Sequence, residues 1–429
     1  MRIILRSLLR NRRVMWLLKR LYGHFHDDIV QALNDNPEIA EINPLRIRRS
    51  ELDGLRFNLL IPAVSERHIF GGIATGLQFF RGFEGLTSDL RIIATDEGKL
   101  REARLDAARF AGWEFVDAAD DDRPGRLMVA MGRRKAPLAV RANDVFISTA
   151  WWSAHLAREL LADQAALHGM TTRRFIYLIQ DYEPLFHPWA ARYALAKQTY
   201  VDRDGYVPVF NTALLRDYLV MQGLAERDDL FFHPIMNDSL QAAAARLGPQ
   251  PREKRILVYG RPSVDRNAYP LLVRGLRRLV ERHDTSGWQF VSAGEPHAPA
   301  QLGPGVRLEP LGKLALEDYA RELLRCHAGV SLMISPHPSY PPLEMAALGM
   351  HVITNGYANK DLSSWAPAMR SINVADADAL ADAVHHAMQR FGEAPAAGPY
   401  DPAFASYLEA NDDFSALAAS AWERVRAER

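Results

Sequence analysis

Two α/β domains, each a parallel sheet covered by helices on both faces, are what this sequence predicts, on three observations. A chain of 429 residues exceeds what a single hydrophobic core organises. Its apolar segments are short continuous runs. Strands of that kind are buried on both faces, as crossover helices bury a parallel sheet. A stretch rich in proline and charge, Gly248-Pro-Gln-Pro-Arg-Glu-Lys254, separates two series of such segments and reads as a linker.

The first series predicts a strand at 57–62, a helix at 72–80, a strand at 90–95, a helix at 98–111, and strands at 144–148 and 175–179. An Ala-rich helix follows Ser239. The second predicts a strand at 255–259, a helix at 268–283, a strand at 288–292, a helix at 315–325, a strand at 329–334, and helices at 343–348 and 376–391. The tail from Tyr400, including 414–426, is helical. Domain bounds follow: an N-terminal extension over 1–50, a first domain over 51–245 rejoined by the helix at 400–429, and a second domain over 252–399.

Bulk composition narrows function. Lys and Arg total 52 and Asp and Glu total 52, so no nucleic-acid or acidic-polymer partner is implied. The single cysteine, Cys326, permits no internal disulfide and fits a reducing, cytoplasmic setting; among Leu323, Leu324 and Val330 it reads as a buried thiol. No apolar run is long enough to span a bilayer. With no His/Cys cluster, no metal is expected. Gly71-Gly-Ile-Ala-Thr-Gly76 lacks dinucleotide-loop spacing, and Gly312-Lys313-Leu314 lacks the rest of a nucleoside-triphosphate loop. The Asp-x-Asp triplets at 120–122, 202–204 and 376–378 read as solvated turns or caps.

The segment from Ile334 to Asn355 is the most informative. Prolines at 336, 338, 341 and 342 form a stiff loop, Leu343 to Leu348 is a helical run that Gly349 ends, and His351-Val-Ile-Thr is a strand. Glu344 is then expected in the first helical turn, where the dipole favours a carboxylate able to accept sugar hydroxyls. Leu343-Glu-Met-Ala-Ala-Leu-Gly-Met-His-Val-Ile353 resembles the donor-nucleotide segment of retaining glycosyltransferases of family four, which have the two-Rossmann GT-B architecture. The resemblance gives Glu344 the nucleotide sugar and places Leu343, Ser339, Tyr340 and Gly260 around the nucleotide. The family's partner glutamate falls on Pro336 here, so His337, Ser339 or Tyr340 takes the contact to the donor sugar. The loop Ser335-Pro-His-Pro-Ser-Tyr-Pro-Pro resembles that of bacterial rhamnosyltransferases using dTDP-rhamnose for surface glycans.

Four further constellations fit a nucleotide-sugar site. Arg261 follows the opening strand of the second domain, with Arg266 five residues on; guanidinium groups there face the crevice and suit a diphosphate, the role given to Arg261, and a cap or surface ion pair is the competing role for Arg266. Lys313 precedes a helix and is a second phosphate cation. Gly71-Gly72 opens the first helix, where backbone approaches the diphosphate or forms a tight turn. Leu178-Ile-Gln-Asp181-Tyr182-Glu183-Pro-Leu-Phe-His187-Pro188-Trp189 leaves a buried strand and offers carboxylates beside aromatic faces, as sugars require; Trp151-Trp152 lies at a comparable edge. Asp181 is placed with Arg261 and Lys313 at the reaction; Tyr182, Glu183 and Trp151 are placed at the acceptor, with core packing the competing role for the tryptophans. The resemblance implies a metal-independent transferase with no cofactor. It would pass a hexose, rhamnose first, with retention to a lipid-linked oligosaccharide. A GDP- or UDP-sugar enzyme, or a non-catalytic subunit of a polysaccharide-assembly complex, are the alternatives.

The N-terminus is basic where the whole is neutral. Arg2, Arg6, Arg10, Arg12, Arg13, Lys19 and Arg20 precede the first acid, Asp27, and are interleaved with leucines, Trp16 and Tyr22. This pattern is an amphipathic helix for an anionic membrane surface, where each cation is worth about 1 kcal/mol, or for docking on its own chain or a second copy in a homodimer. A chain beginning at Asn43 is expected to lose sedimentation with anionic liposomes while still transferring to a soluble acceptor. Conversion from dimer to monomer, or failure to fold, would identify the segment as a docking element instead.

Overall fold

The computed structural model describes residues 38–65, 71–97, 110–132, 136–409 and 413–427. The basic N-terminal helix, residues 66–70 and most of the helix expected at 98–111 lie outside them. Two compact units are present, 1–44 and 45–429. The second contains both large sheets and a two-stranded one.

Its first half comprises β1 (Ile47–Arg49), β2 (Arg56–Ile61), α1 (Gly72–Arg81), β3 (Leu90–Ala94), β4 (Glu114–Val116), β5 (Arg126–Ala130), β6 (Leu138–Val140), β7 (Asp144–Ser148), α2 (Trp151–His168), β8 (Phe175–Ile179), α3 (Ala191–Val201), β9 (Tyr206–Asn211), α4 (Ala213–Met221) and β10 (Leu230–Phe232). Eight of these strands form one sheet in the order β10-β9-β8-β7-β2-β3-β5-β4, and every pairing is parallel. The continuous runs at β2, β3, β7 and β8 are buried along their whole length. Leu60 and Ile93 pack on one face of the sheet; Leu59, Ile61 and Ile92 pack on the other. Period two delivers successive side chains to two separate cores.

The second half comprises α5 (Asp238–Leu247), β11 (Glu253–Gly260), α6 (Tyr269–Arg282), β12 (Gln289–Gly294), β13 (Ala300–Gly303), β14 (Val306–Gly312), α7 (Leu316–Arg325), β15 (Cys326–Val330), α8 (Tyr340–Ala347), β16 (His351–Asn355), β17 (Met369–Ile372), α9 (Ala377–Gln389), α10 (Pro402–Glu409) and α11 (Ser415–Arg426). The sheet order is β13-β14-β12-β11-β15-β16-β17, parallel except for the β13–β14 edge pair. Phe404 and Tyr407 of α10 join a core of the second sheet, whereas Ala418, Ala421 and Val425 of α11 join a core of the first. The tail therefore crosses from one domain to the other.

Three local expectations are corrected. The strand expected at 329–334 is Cys326–Val330, because β11 pairs with it from Glu253 to Val258. The helix expected to begin at Leu343 begins at Tyr340; Pro341 and Pro342 open it, where a missing N–H costs nothing. Glu344 therefore sits in the second turn, outside the reach of the first-turn dipole. The triplet at 120–122 is not a solvated turn. Asp121 has a side chain with no exposure and lies in an ion network at the amino ends of the first sheet's strands. There Arg56 donates to Asp144 twice, at 2.7 and 2.8 Å, and Arg91 donates to Asp121 and, at 2.7 Å, to Asn58. The 376–378 triplet is a cap: the Asp376 side chain accepts from the backbone N–H groups of Asp378 and Ala379.

Arg56 and Asp144 are both fully buried, so deleting one leaves the other an uncompensated charge. Asp144→Ala is expected to destabilise the protein by about 3–5 kcal/mol. A double variant with Arg56→Met and Asp144→Leu should lose less than the single one in urea unfolding. An additive loss would show that the two residues are not coupled.

Candidate functional site

In each sheet the chain reverses the direction in which strands are added. In the first the reversal lies between β2 and β7, and in the second between β11 and β15. The loops beyond the carboxyl ends of strands at such a point open a crevice, which is where open α/β sheets bind ligands. Gly71-Gly72 leave β2, Asp181 leaves β8, Arg261 leaves β11, Lys313 leaves β14, and the loop from Ser335 to Ser339 leaves β15.

On the second-domain side, Gly260 ends β11 opposite Gly294 of β12. A Cβ on Gly260 would stand 2.0 Å from Ser292 Oγ, so the strand closes there only with glycine. Arg261 Nε donates to Glu295 Oε1 at 3.2 Å, and Glu295 also accepts from the Ser263 backbone and hydroxyl at 3.1 and 2.8 Å. Burial, with the nearby Arg261 adding to it, lowers the Lys313 pKa. Glu344 accepts from the Tyr319 hydroxyl at 2.8 Å, and burial pushes its carboxyl up to about 7. Leu343, expected at the nucleotide, is wholly buried in the core beside it.

The first domain reaches across at Asp181. Its carboxylate accepts from the Ser335 hydroxyl of the second domain, and its other oxygen lies 4.0 Å from Arg266 Nε. Burial raises the Asp181 pKa, with Arg266 the strongest opposing influence. The Arg266 guanidinium also sits 3.9 Å from the centre of the Phe186 ring. Lys360 is buried, donates to the Met333 carbonyl at 2.7 Å and interacts with Asp181; burial brings its ammonium down to about 7. His337 is buried too. Burial, with Lys360 and Arg266 nearby, lowers it to about 3, so the imidazole is neutral. Its Nδ1 accepts from the Ser339 backbone at 3.0 Å, and its Nε2 is buried without a hydrogen-bond partner.

A second cross-contact joins Tyr340 to the first domain: its hydroxyl meets Asn211 Nδ2 at 3.2 Å and bonds the Thr75 side chain. Ser339, just before Tyr340, has φ of 70°, and Thr212, just after Asn211, has φ of 100°. Left-handed conformations at non-glycine residues cost about 1–3 kcal/mol each and concentrate at functional sites. Gly71 also turns through positive φ, at 49°, to start α1, and a Cβ on Gly72 would stand 3.0 Å from Gln180 Oε1.

The residues expected at the acceptor are placed differently. Trp151 is 1% exposed, its ring edge-on to Trp152, His155 and His187. Glu183 accepts from the Trp151 backbone N–H and so caps α2, and burial pushes its carboxyl up to about 8. Tyr182 packs between Tyr200 and Tyr218. Arg266, weighed from the sequence between crevice and surface, lies at the crevice beside Asp181. Tyr319, Glu295 and Lys360 were not foreseen as site members; the fold brings them in from elsewhere along the chain. Among the described residues no helix is long and apolar enough to cross a membrane.

Residues 56–213 match the family described as WsaF, N-terminal domain, and residues 254–385 match WsaF, C-terminal domain. The O-antigen biosynthesis protein RfbC of Myxococcus xanthus is 32% identical over 292 residues, covering 67% of this chain. The chain spans 21% of that relative's length. Among solved structures, sucrose-phosphate synthase of Thermosynechococcus elongatus superposes with a TM-score of 0.52 at 14% identity, covering 87% of this chain and 96% of its own. The α,α-trehalose-phosphate synthase of Burkholderia vietnamiensis gives 0.53 at 11% identity, covering 88% and 99%. TarM gives 0.53 at 8% identity, covering 87% and 99%. The architecture is thus GT-B, two Rossmann-like domains facing across a cleft. Matched through both sheets, the chain belongs to the WsaF family.

Proposed function

We propose that this protein is a glycosyltransferase of surface-polysaccharide assembly, taking a hexose from a nucleotide-sugar held against the second domain and passing it to a growing glycan. The observation that carries this is the crevice at the switch point of the second sheet, where Arg261 and Lys313 stand just beyond the carboxyl ends of the parallel strands β11 and β14. A diphosphate meets both charges at once, and each charged hydrogen bond to it is worth about 1.5–3 kcal/mol. Glu344 accepts the hydroxyls of the nucleotide's sugar. The unpartnered His337 Nε2 meets the donor sugar in place of the glutamate replaced by Pro336. The name printed for the Myxococcus relative supports a surface glycan as product.

In the reaction, the acceptor oxygen bonds the anomeric carbon as the bond from that carbon to the diphosphate oxygen breaks. The acceptor proton leaves to the diphosphate, whose growing charge Arg261 and Lys313 stabilise in place of a metal. Asp181 faces the same crevice from the acceptor side. The loop from Ser335 to Pro342 supports dTDP-rhamnose as donor, and the family resemblance supports retention of configuration. A lipid-linked acceptor and attachment at the membrane surface belong to the same proposal.

Calorimetric titration should show dTDP binding more tightly than GDP or UDP. Arg261→Ala and Lys313→Ala should each weaken dTDP by about 10- to 100-fold and thymidine little. Equal losses for both ligands would make these residues supports of the fold. Transfer should persist in EDTA, and rescue of a chelated enzyme by manganese would refute the metal-free mechanism.

The raised pKa of Glu344 gives a pH dependence. The folded carboxyl titrates near 7 and the unfolded one near ~4.3, so its contribution to stability is complete below ~4.3 and lost as pH rises through 7. The nucleotide's hydroxyls favour the ionised form, so binding should release a proton and tighten from pH 6 to pH 8. Titrations in buffers of different ionisation enthalpy measure this. Glu344→Gln should abolish the proton release, and an unchanged release in that variant would remove Glu344 from the site.

A further inference from the structure

Within the motif from Asp181 to Trp189, burial divides the aromatic residues sharply. Tyr182 is 7% exposed, whereas Trp189 is 90% exposed, the most exposed large apolar side chain among the described residues. A tryptophan is costly to leave in water, and an exposed one beside a crevice points to a contact made elsewhere. Trp189 is not isolated. Its ring lies 5.0 Å from that of Tyr193 at an interplanar angle of 36°, so the two form a shallow face on the first turn of α3 and the loop before it.

That face is continuous with the cleft. The loop bearing Trp189 begins at Asp181, which contacts Ser335, and includes Phe186, against which Arg266 stacks. Tyr182 packs on Tyr218 with ring centres 5.6 Å apart, and Tyr218 on Tyr357 of the second domain at 6.3 Å. Aromatic contacts thus lead from the domain junction to Tyr182, on the loop that goes on to Trp189.

We infer that Trp189 and Tyr193 form a stacking platform for the acceptor, binding a sugar ring of a saccharide chain some residues away from its growing end. It rests on the glycosyltransferase reading and deepens it: the acceptor is an extended glycan and not a single sugar. The apolar face of a pyranose ring lies flat on an indole, a mode that needs no charge and tolerates several sugars. The motif's other aromatics and carboxylates are spent on packing and capping, so the neutral chain finds its open surface here.

The test uses the full chain and two soluble probes, a rhamno-oligosaccharide of four residues and the monosaccharide methyl rhamnoside. The tetrasaccharide should quench tryptophan fluorescence and bind more tightly than the monosaccharide. Trp189→Ala should weaken it by about 3- to 10-fold and abolish the length preference, while Trp189→Phe should retain most of both. Titration with dTDP separates the two levels of inference. Failure of the wild-type protein to bind any nucleoside diphosphate would sink the transferase reading. Normal dTDP binding with tetrasaccharide binding absent, or indifferent to Trp189→Ala, would overturn the platform alone. Binding to vesicles of anionic phospholipid that depends on Trp189 would reassign the face to the membrane. A dimer that dissociates in Trp189→Ala would reassign it to a second copy of the chain.

Discussion

Asp181 is the point on which the cleft depends. It is a carboxylate of the first domain buried against the second, in contact with a hydroxyl and near two cations, Arg266 and Lys360. Buried charge is tolerated only where it is compensated, and here the compensation comes from across the junction. The balance around it is uneven. Arg261, Arg266 and Lys313 bring positive charge, Glu295 answers Arg261, and the carboxyls of Glu344 and Glu183 are held high by burial. The crevice therefore gathers cations on a chain whose totals balance at 52 and 52.

The first sheet divides its labour along the strands. Its amino ends are tied by Arg56, Arg91, Asp121 and Asp144, a network with its main partners satisfied. Its carboxyl ends carry glycines, strained backbone at Thr212 and the cross-contacts to Ser335 and Tyr340. Rigidity at one end allows the loops at the other to be placed closely. The same logic explains why charged residues sit inside strands that otherwise read as apolar.

Much of the frame was legible because burial on two faces leaves a plain mark. The runs at 57–62, 90–95, 144–148 and 175–179 are continuous, and each is a central strand. The strand β9 carried no such mark, since Pro208 interrupts a run that is nonetheless buried throughout. The edge-side strand β14 is half exposed, with Pro310 near its end, and gives neither period clearly. Arg261, Lys313 and Glu344 could be singled out from residue type and local context. What holds them could not: Tyr319 and Glu295 are 25 and 34 residues away along the chain from Glu344 and Arg261. Asp121 was misjudged for the same reason, because a local Asp-x-Asp turn gives no hint of the arginines that bury it. Trp151 shows the limit for aromatics, where an identical residue type serves packing at one loop and exposure at Trp189.

On the proposed reading, the two sides of the cleft solve different recognition problems. A nucleoside diphosphate is anionic, so the second domain can hold it with a few charges at fixed points, and specificity then lies in what surrounds the sugar and base. A glycan acceptor is neutral and offers only hydroxyls and apolar ring faces, so cations gain it little. The first domain's buried groups near the junction are already committed, Glu183 to the Trp151 backbone, Tyr182 to Tyr200 and the Trp151 ring to His187. They give stiffness to the loop that carries Asp181 and Trp189. A polymer-building enzyme also has to hold a chain whose end changes at every turnover. On that reading, contact made away from that end, on a flat surface indifferent to sequence register, satisfies this requirement and leaves the junction around Asp181 undisturbed.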